Sequence, residues 1–219
     1  MIINWEKLPH DQMIGHGREG LVLKLTATDC IKIYSPERAF KAKVEFENYQ
    51  RLKQAGFLVP QPQDLVEIYI GNRTVKLPGK CEFRGIGLYN FQVESVPAII
   101  KEFLLGIPYG RKKPNISEIK SLLDYLYQLQ KNGFTFSDGI APDFIATKIG
   151  AGLVDCSSLM NRQESIINYR HTFEEASSSY TRRILTDFSE ELEANQLHFG
   201  FDLKLWLAYL ISPHDRLNY

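Results

Sequence analysis

Three closely spaced glycines are the first residues of this sequence whose type and spacing could do chemistry. Gly15, Gly17 and Gly20 lie in a stretch from Met13 to Leu25 in which apolar residues alternate around them. This pattern predicts two strands joined by a glycine turn. Because a second strand follows the turn, and not the helix of a dinucleotide-binding fold, the context favours a hairpin that lies over phosphate groups. A plain hairpin with glycines at positive φ is the alternative.

A single lysine interrupts the next predicted strand, Cys30–Tyr34. Lys32 has apolar neighbours on both sides, and the burial of an ammonium group is costly unless an anion pairs with it. The following helix, which Ser35 is predicted to cap and which runs roughly to Gln54, supplies Glu45. A carboxylate at that position can hold a phosphate-binding lysine in place. An exposed lysine at a sheet edge is the alternative.

Three aspartates in the second half of the sequence could bind a hard cation and orient a hydroxyl group. Asp138 follows a predicted helix that Asn115 begins and Gly133 ends. Asp143 comes five residues later, and Asp155 ends a predicted strand. Carboxylates that converge near a polyphosphate suit the chelation of Mg²⁺ and the base-like orientation of a hydroxyl. Each acid alone is most often a turn residue, so the order and spacing of the three carry the prediction.

In this order and spacing the motifs resemble those of the protein-kinase superfamily, over roughly the first 160 residues. The resemblance implies that Lys32 binds the α- and β-phosphates of ATP and that Glu45 pairs with it, with Glu47 as the reserve candidate. It also implies that the strand from Ile99 to Gly106 is the hinge, whose backbone contacts adenine. The nucleotide-binding residues implied in this way are Gly15, His16, Gly17, Gly20, Val22, Cys30, Lys32, Glu102 and Phe103.

The same resemblance assigns roles to the three aspartates. Asp138 falls at the catalytic-loop aspartate that orients the acceptor hydroxyl, so Asp138, Lys32 and Glu45 are the predicted catalytic residues. Asp143 and Asp155 fall at the two metal-binding positions. Asp143 stands where the family has asparagine, and its carboxylate can still bind Mg²⁺, with Mn²⁺ as an alternative ion.

Other positions depart from the family pattern. Phe136 and Ser137 replace the His-Arg pair before the catalytic aspartate, and Cys156 and Ser157 replace Phe-Gly after the metal-binding one. These substitutions argue against control through a phosphorylated activation loop, and they leave open a pseudokinase that acts as a binding module. Lys101 lies near the residue that borders the back of the adenine pocket, where we do not expect a buried lysine.

The resemblance implies an α+β, bilobal protein-kinase-like fold in a single domain. Residues 1–105 would form a β-rich N-lobe with the glycine loop, and residues 106–219 a truncated C-lobe with two or three helices after Asn161. No A-P-E motif follows Asp155. In this respect the chain resembles compact atypical kinases, such as lipopolysaccharide-sugar kinases, RIO-like kinases and small bacterial effector kinases.

The activity that the resemblance implies is ATP- and Mg²⁺-dependent phosphotransfer by a minimal serine/threonine protein kinase. A protein hydroxyl is the expected acceptor, because the chain leaves little room for the helical insertions of sugar and antibiotic kinases. A small-molecule kinase, a nucleotidyl transferase on the same fold and a pseudokinase are the alternatives.

Composition argues against several other classes of protein. Lysine and arginine total 26, and aspartate and glutamate also total 26, so the net charge of zero gives no indication of nucleic-acid binding. Three cysteines without a C-x-x-C pair indicate a reducing compartment. The start lacks a signal-peptide pattern, and no apolar run reaches the roughly 18 residues of a membrane helix. We therefore expect a cytoplasmic monomer without membrane contact, or an effector secreted into a host cell.

Overall fold

The structure is a computed structural model that describes residues 1–17, 19–71, 74–76, 88–90, 93–109, 114–136 and 144–161. It divides into two compact units, Met1–Leu104 and Leu105–Tyr219, one residue before the predicted division. A mixed sheet, smaller sheets and two α-helices among the described residues make the chain α+β, as predicted. Asp138, Asp143 and the helices predicted after Asn161 lie outside the described residues.

The described strands of the first unit form a six-stranded sheet and a two-stranded one. They are β1 (Ile2–Asn4), β2 (Met13–Gly17), β3 (Gly20–Lys24), β4 (Asp29–Tyr34), β5 (Pro62–Tyr69), β6 (Thr74–Lys76), β7 (Leu88–Asn90) and β8 (Ser95–Glu102). The large sheet has the order β1-β5-β8-β4-β3-β2, in which β1 is parallel to β5 and the other pairs are antiparallel. The predicted glycine hairpin is therefore present as β2 and β3, and β6 pairs with β7.

Helix α1 (Lys41–Gln54) begins later than the sequence predicts. Ser35 forms no side-chain capping bond. Its backbone N–H donates to the carbonyl of Glu19 at 2.7 Å and so extends the ladder between β3 and β4. A 3₁₀ turn, Pro36–Arg38, then separates Ser35 from α1. The predicted end of the helix is confirmed, since Gly56 follows it with a φ of 82°.

Alternation along β4 divides its side chains between the two faces of the large sheet. Ile31 and Ile33 are fully buried in the larger hydrophobic core of the unit. Because successive residues of a strand point to opposite faces, Lys32 and Tyr34 lie on the other side. Tyr34 packs there in a second cluster with Ala42 of α1. The period of the strand thus places Lys32 on the face that α1 covers.

Helix α2 (Ile116–Lys131) of the second unit begins and ends where the sequence predicts. Asn115 and Glu118 form a capping box, in which each side chain accepts a bond from the other residue's backbone N–H, at 3.0 and 2.9 Å. Gly133 follows the helix with a φ of 78°. The predicted apolar face is buried at Ile119, Leu122, Leu123, Leu126 and Leu129. Of the helices in the described part of the chain, none is long and apolar enough to cross a membrane.

Short antiparallel strands accompany α2 in the second unit. They are β9 (Ile107–Pro108), β10 (Phe134–Phe136), β11 (Phe144–Thr147), β12 (Gly150–Leu153) and β13 (Leu159–Asn161). Three of them pair in the order β12-β11-β9, and β10 pairs with β13. The sequence predicted that Asp155 is the last residue of a strand, but in the structure it comes two residues after the end of β12.

Candidate functional site

The carboxylate of Glu45 in α1 is the centre of a buried polar network in the first unit. Glu45 has no solvent exposure. Its Oε2 accepts bonds from Lys32 Nζ at 2.6 Å and from the Tyr34 hydroxyl at 2.5 Å. Its Oε1 accepts a bond from the Tyr49 hydroxyl at 2.8 Å and lies 3.4 Å from Lys101 Nζ. Both lysines are only 4% exposed, so Glu45 balances positive charge where water has little access.

Two periodicities and one strand register bring these five side chains together. Glu45 and Tyr49 are four residues apart in α1 and therefore share one face of the helix. Lys32 and Tyr34 are two residues apart in β4 and share one face of the sheet. The pairing of β4 with β8 makes Lys101 a diagonal neighbour of Lys32 on that face.

Lys101 is buried, contrary to the expectation from the sequence. Its Nζ contacts Glu45 Oε1 and the Tyr49 hydroxyl, and it lies 4.4 Å from the centre of the Tyr49 ring. A carboxylate, a hydroxyl and an aromatic face together compensate for the hydration that the ammonium group loses. The expectation failed because these partners are 56 and 52 residues away in the sequence.

The contact between Lys32 and Glu45 is the one that the kinase resemblance implies. The reserve candidate, Glu47, lies instead on an exposed part of α1, where its side chain is 43% exposed and 3.9 Å from Lys43 Nζ. The structure therefore selects Glu45 over Glu47 as the partner of Lys32. The catalytic role of the pair stays a prediction.

A second carboxylate, that of Glu19, also contacts Lys32. Glu19 lies in the turn between β2 and β3, and its Oε2 is 3.2 Å from Lys32 Nζ. Its Oε1 contacts Nζ of Lys41, the first residue of α1. On β3, Val22 is directly opposite Lys32 in the sheet. The glycine hairpin thus contributes a charged side chain to the surroundings of Lys32, and no local pattern in the sequence predicted the contacts of Glu19 and Lys41.

Close packing explains one of the three hairpin glycines. Gly20 has a φ of 155°, and a Cβ there would lie 1.9 Å from the carbonyl oxygen of Ile33, so no other residue fits. A Cβ on Gly15 would make ordinary contacts, and one on Gly17 would meet no described atom within 4 Å. His16 lies exposed between them. Packing of the described residues therefore does not require glycine at the first two positions, and the predicted nucleotide contact stays a separate reason for them.

The predicted adenine-contacting residues lie at neighbouring ends of β4 and β8. Cys30 is buried, its Sγ lies 3.8 Å from the carbonyl oxygen of Glu102, and burial raises the pKa of the thiol. The N–H of Glu102 donates to the carbonyl of Gln61 at 3.0 Å, and the N–H of Phe103 donates to the carbonyl of Thr28 at 2.6 Å. Since both N–H groups are bonded within the unit, a hinge contact at these two residues would fall to their carbonyl groups.

Asp155 is the predicted metal-binding residue that the structure describes. It is half-buried in the second unit, and its Oδ1 accepts a bond from the backbone N–H of Ser157 at 2.9 Å. Carboxylate oxygens are the ligand type that Mg²⁺ prefers, so the chemistry of Asp155 fits the predicted ion. Asp143, the second predicted ligand, and Asp138, the predicted catalytic residue, are outside the described ranges.

Sequence reasoning missed the two tyrosines that bind Glu45, although a signal for each was present. Tyr49 follows Glu45 by four residues in a predicted helix, and Tyr34 follows Lys32 by two in a predicted strand. These spacings place each tyrosine on the face of its element that carries the charged residue. A hydroxyl on the same face as a buried charge is a ready hydrogen-bond partner for it.

No protein-family model and no curated protein matches this sequence. Among solved structures, the chain is similar to the Legionella pneumophila Lpg2603 kinase bound to IP6, with a TM-score of 0.46 and 15% sequence identity. The match covers 82% of this chain and 60% of that kinase, so this chain spans less than two thirds of the kinase's length.

Proposed function

We propose that this protein is an ATP- and Mg²⁺-dependent phosphotransferase with a bilobal, protein-kinase-like fold. The observation that carries the proposal is the buried pair of Lys32 and Glu45, at 2.6 Å, in which Lys32 lies on the sheet that also carries the glycine hairpin. The order of the elements supports it as well: hairpin, lysine-bearing strand, then a helix whose carboxylate reaches the lysine.

The lysines of the network are groups that can bind an anion. Lys32 and Lys101 share the carboxylate of Glu45, and Lys32 and Lys41 share that of Glu19. A buried ion pair adds little stability compared with well-packed apolar residues, so stability alone is a weak reason to retain it. Lysine ammonium groups bind phosphate oxygens through charge-assisted hydrogen bonds.

The predicted catalytic and metal-binding residues each have a role in this proposal. Lys32 binds the α- and β-phosphates, and Glu45 fixes the direction of its ammonium group. Asp138 orients the acceptor hydroxyl, while Asp143 and Asp155 would hold the metal ion. Bound Mg²⁺ would neutralise charge on the transferred phosphoryl group.

We propose a serine or threonine hydroxyl of a protein as the acceptor. This step rests on the resemblance to minimal protein kinases and not on a contact within the described residues. The alternative hypothesis is that the acceptor is the hydroxyl of a small molecule. The predicted monomeric state and cytoplasmic or effector location are separate proposals of the same kind.

The experiment is a labelling assay with Mg²⁺ and ATP labelled either at the γ- or at the α-phosphate. We expect label from γ-ATP to appear on a generic protein substrate such as casein, or on the protein itself. Label from α-ATP would indicate nucleotidyl transfer instead. Lys32→Met should abolish transfer, and Glu47→Gln, which alters an exposed carboxylate of the same helix, should not. If no label is transferred from either form of ATP, the proposal is overturned, and a non-catalytic binding module is the remaining interpretation of the protein.

A further inference from the structure

We infer that Lys41 is a second phosphate-binding lysine and that the Glu19 carboxylate occupies the phosphate position until a phosphate displaces it. This inference rests on the proposed nucleotide-binding function and adds a ligand residue and a competing internal anion to it. Glu19 is held between two ammonium groups, with Oε2 at 3.2 Å from Lys32 Nζ and Oε1 in contact with Lys41 Nζ. Two lysines that bind one carboxylate from opposite sides can also bind a phosphate in its place.

The two carboxylates that contact Lys32 differ in how they are held. Glu45 is fully buried and receives bonds from two tyrosine hydroxyls as well as from Lys32. The Glu19 side chain is 24% exposed and its two carboxylate oxygens contact Lys32 and Lys41. An anion from solution that competes for Lys32 would therefore displace Glu19 and not Glu45. Glu19 is the more accessible carboxylate, and its displacement does not disturb the buried tyrosine network around Glu45.

Displacement of Glu19 can take place by rotation of its side chain. The backbone at this point is fixed, because the Glu19 carbonyl accepts a bond from the N–H of Ser35 at 2.7 Å. The next residue, Gly20, packs directly against the Ile33 carbonyl. The long and partly exposed side chain of Glu19 can turn towards water while the hairpin keeps its place in the sheet.

Displacement of Glu19 would release lysine ammonium groups that a phosphate can bind. With Glu19 turned away, Lys32 and Lys101 keep Glu45 as their shared carboxylate, whereas Lys41 loses the carboxylate that it now contacts. Lys41 is the first residue of α1, and its side chain is 16% exposed. The nucleotide would thus be bound by a lysine on the sheet and by a lysine on the helix.

The test compares ATP affinity, measured by calorimetry with Mg²⁺, in Glu19→Gln and Lys41→Met. Glu19→Gln removes a competing anion and should tighten ATP binding about fivefold, whereas Lys41→Met removes a ligand and should weaken it about fivefold. The double variant should bind ATP more weakly than Glu19→Gln alone. Glu47→Gln and Lys43→Met remove the exposed ion pair of the same helix and should leave ATP affinity unchanged. Unfolding midpoints of all variants verify that each is folded.

The result that overturns the inference is a change of the same sign, or no change, for Glu19→Gln and Lys41→Met while the parent protein binds ATP. In that case the pair stabilises the hairpin only, and the proposed function still stands. Inorganic tripolyphosphate is the second probe, and it separates this failure from a failure of the proposed function. If tripolyphosphate shows the two opposite changes and ATP does not bind, the anion site is supported and the nucleotide function is wrong. If neither probe binds the parent protein, both proposals fail.

Discussion

Lys101 Nζ lies 3.4 Å from Glu45 Oε1, on the carboxylate whose other oxygen is 2.6 Å from Lys32 Nζ. One buried acid therefore serves two buried lysines, which come from neighbouring strands. The two lysines are not equivalent, because Lys32 is also within 3.2 Å of Glu19, whereas Lys101 lies over the ring of Tyr49. The proposal assigns a ligand-binding role to Lys32 and a positioning role to Lys101, and the two roles predict different behaviour on mutation.

We expect Glu45→Gln to destabilise the protein by about 3 kcal/mol or more, because it leaves two buried ammonium groups without their shared carboxylate. Glu47→Gln, on an exposed part of the same helix, should change stability by no more than about 0.5 kcal/mol. Urea unfolding of the two variants beside the parent protein measures both. Equal stabilities for the two variants would mean that the network around Glu45 contributes nothing to the fold.

Lys101→Met should change the free energy of unfolding by no more than about 1 kcal/mol, although Lys101 is just as buried as Lys32. The substitution removes one of the two lysines that contact Glu45, and it leaves the pair of Lys32 and Glu45 in place. Methionine has a similar length and suits an apolar site. A loss of about 3 kcal/mol in urea unfolding would instead make Lys101 the principal partner of Glu45.

Mg²⁺-ATP should stabilise the parent protein against unfolding, by about 2.7 kcal/mol at a ligand concentration one hundred times the dissociation constant. Lys32→Met should remove this stabilisation while the protein stays folded, because Glu45 keeps Lys101 and two tyrosines as partners. Thermal unfolding with and without millimolar Mg²⁺-ATP measures the effect. A parent protein whose midpoint does not move would count heavily against a nucleotide site.

Asp155→Asn should abolish phosphotransfer, with a loss of about 3 kcal/mol or more of transition-state stabilisation. Asparagine keeps a side-chain oxygen that can accept the bond from Ser157, so the turn is preserved while the charge is lost. Activity assays across a range of Mg²⁺ concentrations test this. Retained activity would move the metal site to Asp143.

In the same Mg²⁺-dependent activity assay, Asp143→Asn should raise the Mg²⁺ concentration that phosphotransfer requires and leave some activity.

The parent protein should have a larger free energy of unfolding than Cys30→Ala, and this difference should shrink as the pH rises above about 9. Burial raises the pKa of the Cys30 thiol above its ordinary value of 9.0, so the native state keeps a proton that the unfolded chain releases. The contribution of the thiol is complete below the pKa of the unfolded chain and is lost as the pH rises towards that of the folded state. Urea unfolding of both proteins at pH 8 and pH 10 measures the difference, and an unchanged difference would indicate a thiol that titrates normally.

The sequence by itself determined the elements whose signals are local. The glycine turn between two alternating stretches predicted the hairpin of β2 and β3, and Asn115 and Gly133 marked the two ends of α2. Each of these depends on hydrogen bonds or apolar periodicity within about 20 residues, which a single sequence displays. The predicted start of α1 was wrong, since a 3₁₀ turn, Pro36–Arg38, follows Ser35 and the α-helix begins only at Lys41.

The tertiary structure alone decided which charges meet. The register of β4 against β8 places Lys101 diagonally beside Lys32, on the sheet face where both contact Glu45 of α1, and the hairpin turn brings Glu19 to Lys41. These partners are 56 and 22 residues apart, so no local period connects them. Whether a lysine is buried depends on the carboxylate that it meets, because only such a partner offsets the loss of hydration. The sequence specifies the charge of each residue, whereas the packing of the strands and the helix determines which residue becomes its partner.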